Sequence, residues 1–212
     1  MYNICPTITV ITHEDYSRQL NLAATLSSRI HLDISDGSIA SRKLIGLEHL
    51  SWPSNMMIDI HLMVEDPERF IDQIPDLNTN LLIMHQLNIH HLESLANRIR
   101  SKNIKVGVVI DSSQAFNDLK NYLNQIDHVM LFSGNLGYQG GAVVKLDLLK
   151  LVRKITAINN RLEIGWDGGI NETNIYQLKQ AGVTVFNVGS YIQSASVPKD
   201  AYDKLIAEIE RQ

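Results

Sequence analysis

The feature that most constrains this chain is a repeated alternation. Short apolar runs rich in Val, Ile and Leu fall at residues 4–11, 30–34, 56–63, 81–85, 105–110, 128–132, 162–166 and 183–188. Between them lie segments with helix starts or the 3.6-residue apolar period of amphipathic helices. These predict helices over about 12–27, 44–50, from the Asp66-Pro67 start onward, and over 90–101, 112–123, 145–158, 171–181 and 198–210. Thr12, Ser112 and Asn171 supply side-chain oxygens suited to helix caps, and Pro67 suits a first helical position. Consecutive strands separated by helices must run parallel, because only a long crossover can return the chain to the same sheet edge. No linker, low-complexity stretch or charge run breaks the pattern, so residues 1–212 read as a single domain. Eight such units in this length predict an α/β fold, a compact (β/α)8 TIM barrel; a doubly wound parallel sheet is the structural alternative.

A barrel of this kind presents functional groups at the C-terminal ends of its strands. His31 and Asp33 fall there on strand 2, two residues apart and therefore on one face. His61 falls there on strand 3 and Asp167 on strand 7. A single strand histidine is more often a satisfied core residue than a ligand, and an aspartate before glycines often caps a turn. Four such residues at three strand ends are harder to explain that way. Two imidazoles and two carboxylates form a mixed N/O set suited to one divalent ion such as Zn, Fe, Mn or Co. The two aspartates also suit a paired acid and base, one removing a proton alpha to a ketone and the other returning one on the opposite face. Glycine clusters follow the last three strands: Gly137-Tyr138-Gln139-Gly140-Gly141, Gly168-Gly169 and Gly189-Ser190. Glycines let backbone N–H groups approach an anion, and the loops after strands 7 and 8 are the usual phosphate site in such barrels.

Composition narrows the partners. Lys and Arg number 19 against 23 Asp and Glu, a net charge of −4 that does not suggest nucleic acid or an anionic membrane surface. The one cysteine, Cys5, leaves no internal disulfide framework and fits a reducing compartment. The first residues show no basic region followed by an apolar one, and no apolar run approaches a membrane span. The expectation is a cytoplasmic protein with a small-molecule substrate, without a nucleic-acid or membrane partner.

Five segments together resemble the ribulose-phosphate 3-epimerase family. They are His31-Leu32-Asp33-Ile34-Ser35-Asp36-Gly37, Asp59-Ile60-His61-Leu62-Met63-Val64, Asn135-Leu136-Gly137-Tyr138-Gln139-Gly140, Trp166-Asp167-Gly168-Gly169-Ile170-Asn171 and Val188-Gly189-Ser190. The resemblance spans essentially the whole chain. It implies a ribulose-phosphate-binding barrel, often self-associating, that interconverts D-ribulose 5-phosphate and D-xylulose 5-phosphate. It implies His31, Asp33, His61 and Asp167 as ligands of one metal, with Asp33 and Asp167 as the acid–base pair. It implies Thr7, His61, Met63 and the glycine loops (Gly137, Tyr138, Gln139, Gly140, Gly168, Gly169, Gly189 and Ser190) as the substrate and phosphate site. Thr7 keeps the hydroxyl where the family usually has a substrate-contacting serine. Ser35 and Phe132 stand where the family usually has methionines, Leu136 where it has proline, and Leu87 where it has a glutamate after His85. These differences leave two alternatives, an epimerase for another ketose phosphate such as a hexulose 6-phosphate, or a non-catalytic sugar-phosphate binder. Schiff-base aldolase chemistry is disfavoured because no lysine ends a strand, and the Asp-x-Lys-x-x-Asp spacing of a phosphate-barrel decarboxylase does not occur.

Overall fold

The computed structural model of the protein describes residues 2–74, 78–85 and 91–211. Eight parallel strands close into a barrel, in the order β1 to β8, with β8 returning to pair with β1. They are β1 (Asn3–Ile8), β2 (Arg29–Ser35), β3 (Met57–Met63), β4 (Thr79–Met84), β5 (Lys105–Ile110), β6 (His128–Phe132), β7 (Glu163–Asp167) and β8 (Val185–Val188). The helices are α1 (His13–Leu26), α2 (Leu92–Arg100), α3 (Ser113–Leu119), α4 (Leu149–Ile158), α5 (Ile175–Gln180), α6 (Ser190–Gln193) and α7 (Pro198–Glu210). The barrel expectation therefore holds and the doubly wound alternative does not. No helix among the described residues is long and apolar enough to cross a membrane.

Several connections depart from the sequence expectation, each for a local reason. The first strand ends at Ile8, short of residue 11, and the Val10 carbonyl accepts instead from the Ile45 amide at 2.9 Å. That bond and another from the Leu44 amide to the Ser35 carbonyl hold residues 44–45 against strand ends. The helix expected over 44–50 is thereby reduced to one 3-10 turn, Leu47–His49. After β3, the Asp66 carboxylate pairs with Arg69 at 2.8 Å and makes no cap bond, and two 3-10 turns replace the expected helix. Asn171 is not a helix cap: its Oδ1 accepts from the Thr173 amide at 2.9 Å, and α5 starts only after Asn174. Thr12 and Ser112 do cap, each accepting from the amide three residues on. The helix expected to reach residue 123 changes to 3-10 geometry at Lys120, and a 3-10 turn, Leu146–Leu148, precedes α4. The start expected at His90, and Leu87, lie outside the described residues.

Strand alternation sorts the core. Outward-facing residues such as Ile30, Leu32, Ile58, Ile60, Val106 and Trp166 pack under the helices as one large cluster. Leu81, Ile83, Val109, Met130 and Phe132 form a smaller inner one. At its N-terminal end, the barrel is held by charge. The Arg29 guanidinium donates twice to Glu163 and once to Asp59, each bond at 2.7 Å. Asn80 donates to the other Asp59 oxygen at 2.6 Å, and His128 Nδ1 lies 3.0 Å from Glu163. Gly165 makes room for this group, since a Cβ there would lie 2.5 Å from His128 Nε2. Arg29 and Asp59 are buried, so the bidentate geometry matters: losing one partner strands a charge in low dielectric.

Burial acts to raise the Glu163 pKa, but the bonds from Arg29 and His128 outweigh it and hold the carboxyl well below its ordinary 4.5. A depressed carboxyl stabilises the fold above its unfolded pKa and ceases to do so as pH falls through the folded value. Glu163→Gln should therefore lose about 3 kcal/mol at pH 7. Its deficit against the parent should shrink on acidification below about pH 4.5. Thermal melts across that range check both signs.

Candidate functional site

The C-terminal mouth of the barrel gathers the four residues expected to act together. His31 and Asp33 come from β2, His61 from β3 and Asp167 from β7, all buried. One donor atom from each lies within 4.8 Å of all the others. His61 Nδ1 is 2.9 Å from Asp33 Oδ1 and 4.0 Å from Asp167 Oδ2. His31 Nε2 is 3.4 Å from Asp33 Oδ1 and 3.9 Å from Asp167 Oδ2.

These residues fit a divalent cation on chemical grounds. Both ring nitrogens of His31 are buried without a hydrogen-bond partner among the described residues. Burial of an unpaired imidazole is costly unless a further ligand completes it. Neutral His nitrogens and carboxylate oxygens converging within a few ångström form a donor set for a transition-metal ion.

The surrounding groups orient this set. Thr9 Oγ1 donates to Asp33 Oδ2 at 2.6 Å, leaving Oδ1 to face the two imidazoles. His61 Nε2 lies 2.9 Å from His85 Nε2 with the two rings stacked. Burial, then the charge of His61, push the His85 pKa down to about 3, so His85 is neutral and able to accept from a His61 Nε2–H. That hydrogen bond fixes the ring so that His61 Nδ1 faces Asp33 and the cluster. Phe132 packs edge-on against both rings. A Cβ on the following Gly134 would strike that phenyl ring at 2.8 Å.

The two carboxyls are driven apart. For Asp33, burial alone would raise the pKa, but the His31 and His61 imidazoles beside it reverse this and lower it. For Asp167, burial raises the pKa, with the Asp33 charge adding to it against His31 and His61. A pair tuned in opposite directions offers one ready proton acceptor and one ready donor. Burial also works to lower the His31 pKa, but Asp33 and Asp167 more than offset it and raise it.

Above the cluster lies a cavity walled by strand ends and by the loops that follow them. Thr7, Met63, Gly137, Tyr138, Gln139, Gly140, Gly168, Gly169, Gly189 and Ser190 all line it, as do Asp33, His61 and Asp167. The fully buried His31 sits beneath. Gly168 has φ +104°, and a Cβ there would lie 2.3 Å from the Gly134 amide nitrogen, so the loops after β6 and β7 meet only because that side chain is absent. Gly189 is open for the side chain of Gln139, whose Nε2 donates to the Thr7 carbonyl at 3.2 Å. Ser35, which stands where the family usually has a methionine, is buried with its hydroxyl accepting from the Gly37 amide at 3.1 Å. Thr9, His85 and Asn187 are the neighbours that sequence reasoning passed over. Each lies at or just past a strand's C-terminal end, and Thr9 shares the i+2 face of Thr7, so position was the available signal.

Comparison with known proteins places these features in context. The ribulose-phosphate 3 epimerase family profile matches residues 3–193. The chain is 32% identical over 182 residues to the ribulose-phosphate 3-epimerase of Helicobacter pylori strain J99, covering 83% of this chain and 84% of that one. It is 30% identical over 172 residues to the enzyme of the same name from Aquifex aeolicus, covering 78% of each. Among solved structures, it is similar to 3-hexulose-6-phosphate synthase from Salmonella typhimurium, with a TM-score of 0.75 at 13% identity, covering 99% of this chain and 98% of that one. It is also similar to a mutant tryptophan synthase alpha-subunit from Pyrococcus furiosus, with a TM-score of 0.70 at 18% identity, covering 99% of each. At these identities the structural likenesses speak to the fold alone.

The bond from Thr9 makes a prediction about the cluster. Thr9→Val should weaken Zn affinity about 10- to 100-fold by freeing the Asp33 carboxylate, while Thr9→Ser keeps it. Competition with a chromophoric chelator measures this directly.

Proposed function

Because the chain belongs to the ribulose-phosphate 3-epimerase family, we propose that it interconverts D-ribulose 5-phosphate and D-xylulose 5-phosphate by proton transfer at C3. The observation that carries this reading is the pair of buried carboxyls, Asp33 and Asp167, tuned in opposite directions beside two imidazoles. His31, Asp33, His61 and Asp167 are the residues that would hold one divalent ion, Zn, Fe, Mn or Co. Such an ion supplies Lewis acidity toward the ketone and hydroxyl oxygens of the substrate.

The chain's own residues do the rest. Asp33, ionised, is ready to take the C3 proton of one epimer. Asp167, whose pKa is raised, is ready to deliver a proton to the other face of the planar enediolate. In the reverse direction the two exchange tasks, as reversibility demands. Thr9 holds Asp33 in place during this exchange. The packed Phe132 and Met63 keep water from the reacting carbon.

The phosphate falls to the glycine loops after β6, β7 and β8, where main-chain N–H groups can reach an anion without a side chain between. Thr7 Oγ1, buried on the same cavity wall without a partner among the described residues, is placed to meet a polar group of the sugar. The family supports a cytoplasmic, self-associating enzyme.

The complete acid–base set argues against a binder without activity. Phe132, which lines the cavity where the family usually has a methionine, bears on which ketose phosphate is preferred, so hexulose 6-phosphates belong in the same assay. Metal-loaded protein should exchange the C3 proton of D-ribulose 5-phosphate with solvent deuterium, followed by proton NMR. Asp33→Asn and Asp167→Asn should each slow epimerisation by at least about 100-fold with unchanged circular dichroism. Full activity in either variant would overturn the two-carboxylate mechanism.

A further inference from the structure

Asn187 is a buried polar residue that the mechanism above does not use. It lies on β8, opposite Asp167 of β7 on one side and Cys5 of β1 on the other. It is 2% exposed and lines the same cavity as the two carboxyls. Its neighbours on the strand, Phe186 and Val188, face the outer core, so the alternation of β8 turns this one amide inward.

The amide is only half satisfied. Its nitrogen donates to the thioether of Met130 at 3.4 Å, a weak acceptor. Its oxygen has no partner among the described residues. Turning the amide over would not cure this, since a thioether has no proton to give and the oxygen would then face it. A buried amide oxygen without a donor is a standing cost, and a folded protein retains one where a ligand completes it. The missing partner must be a hydrogen-bond donor. A phosphate dianion would be repelled by the oxygen and is served by the glycine loops, whereas a sugar hydroxyl fits.

We propose that Asn187 is a specificity-determining residue whose amide oxygen accepts a hydrogen bond from a hydroxyl on the substrate's carbon chain, close to the carbon served by Asp167. This rests on the ketose-phosphate reading given above. It explains why one amide is carried on an otherwise apolar strand, beside a methionine that offers it little. A polyol whose hydroxyl lies elsewhere leaves the oxygen unpaired and is discriminated against.

The test is calorimetric titration of Zn-loaded protein with D-ribulose 5-phosphate and its 1-deoxy and 4-deoxy analogues. It compares the parent with Asn187→Leu and Asn187→Ala, with melting curves of each protein recorded without sugar. Both variants should bind the full sugar about tenfold or more weakly. Asn187→Leu should melt no lower than the parent, since it removes an amide whose only partner is a thioether. One of the two analogues should lose the same factor in the parent and no further affinity in the variants, the mark of a shared hydrogen bond. Affinity of both variants within about twofold of the parent would overturn the assignment. So would analogues that lose as much in the variants as in the parent. If the parent binds the sugar phosphate without epimerising it, the proposed activity falls while the same titration still decides the role of Asn187. No binding at all removes both.

Discussion

The arrangement at the mouth of the barrel depends on an ion pair at the opposite end. Arg29 begins β2 and Glu163 begins β7, strands that are not neighbours, and the guanidinium grips the carboxylate with two parallel bonds. Four residues further along the same two strands stand Asp33 and Asp167, a rise of about 13 Å. A fork of fixed geometry at one end of two stiff strands therefore sets the spacing of the two carboxyls at the other. Asp59 extends the tie to β3, which carries His61 above it. The strands that supply the His/Asp cluster are the strands this network joins.

The cluster itself shows how burial can be turned to chemical use. Taking four ionisable groups out of water would be ruinous if each stood alone. Here the imidazoles favour the charged form of Asp33, and that charge in turn disfavours ionisation of Asp167. Groups of no reactivity then fix the details. Thr9 chooses which Asp33 oxygen faces inward, His85 sets which nitrogen of His61 does, and Phe132 closes the side.

Much of this was legible in the sequence. Parallel pairing follows from alternation, and period-2 spacing alone put His31 and Asp33 on one face. Less legible were features that depend on contacts between distant segments. Residues 44–50 and the stretch after Asp66 looked helical locally, but their amides and carboxylate found other partners. Nothing in the local sequence ties Arg29 or His128 to Glu163, yet the folded strands bring each within 3.0 Å of it. Ser35 shared the spacing of His31 and Asp33, yet a turn two residues later captured its hydroxyl. Spacing along a strand tells which way a side chain points, not what it will meet there.

The pairing of β8 with β1 carries a consequence for how the protein comes into being. It joins residues 3–6 to residues 185–188, nearly the full span of the chain, and such distant contacts form slowly. Every member of the His/Asp cluster has left the ribosome once residue 167 has emerged, but the wall holding Asn187, Gly189 and Ser190 has not. Until the last strand docks, β1 and β7 each present an open edge to any other strand within reach. The residues proposed to hold an ion are thus all made before the wall proposed to meet a sugar, and the interval between those two moments is the one in which the open edges are exposed.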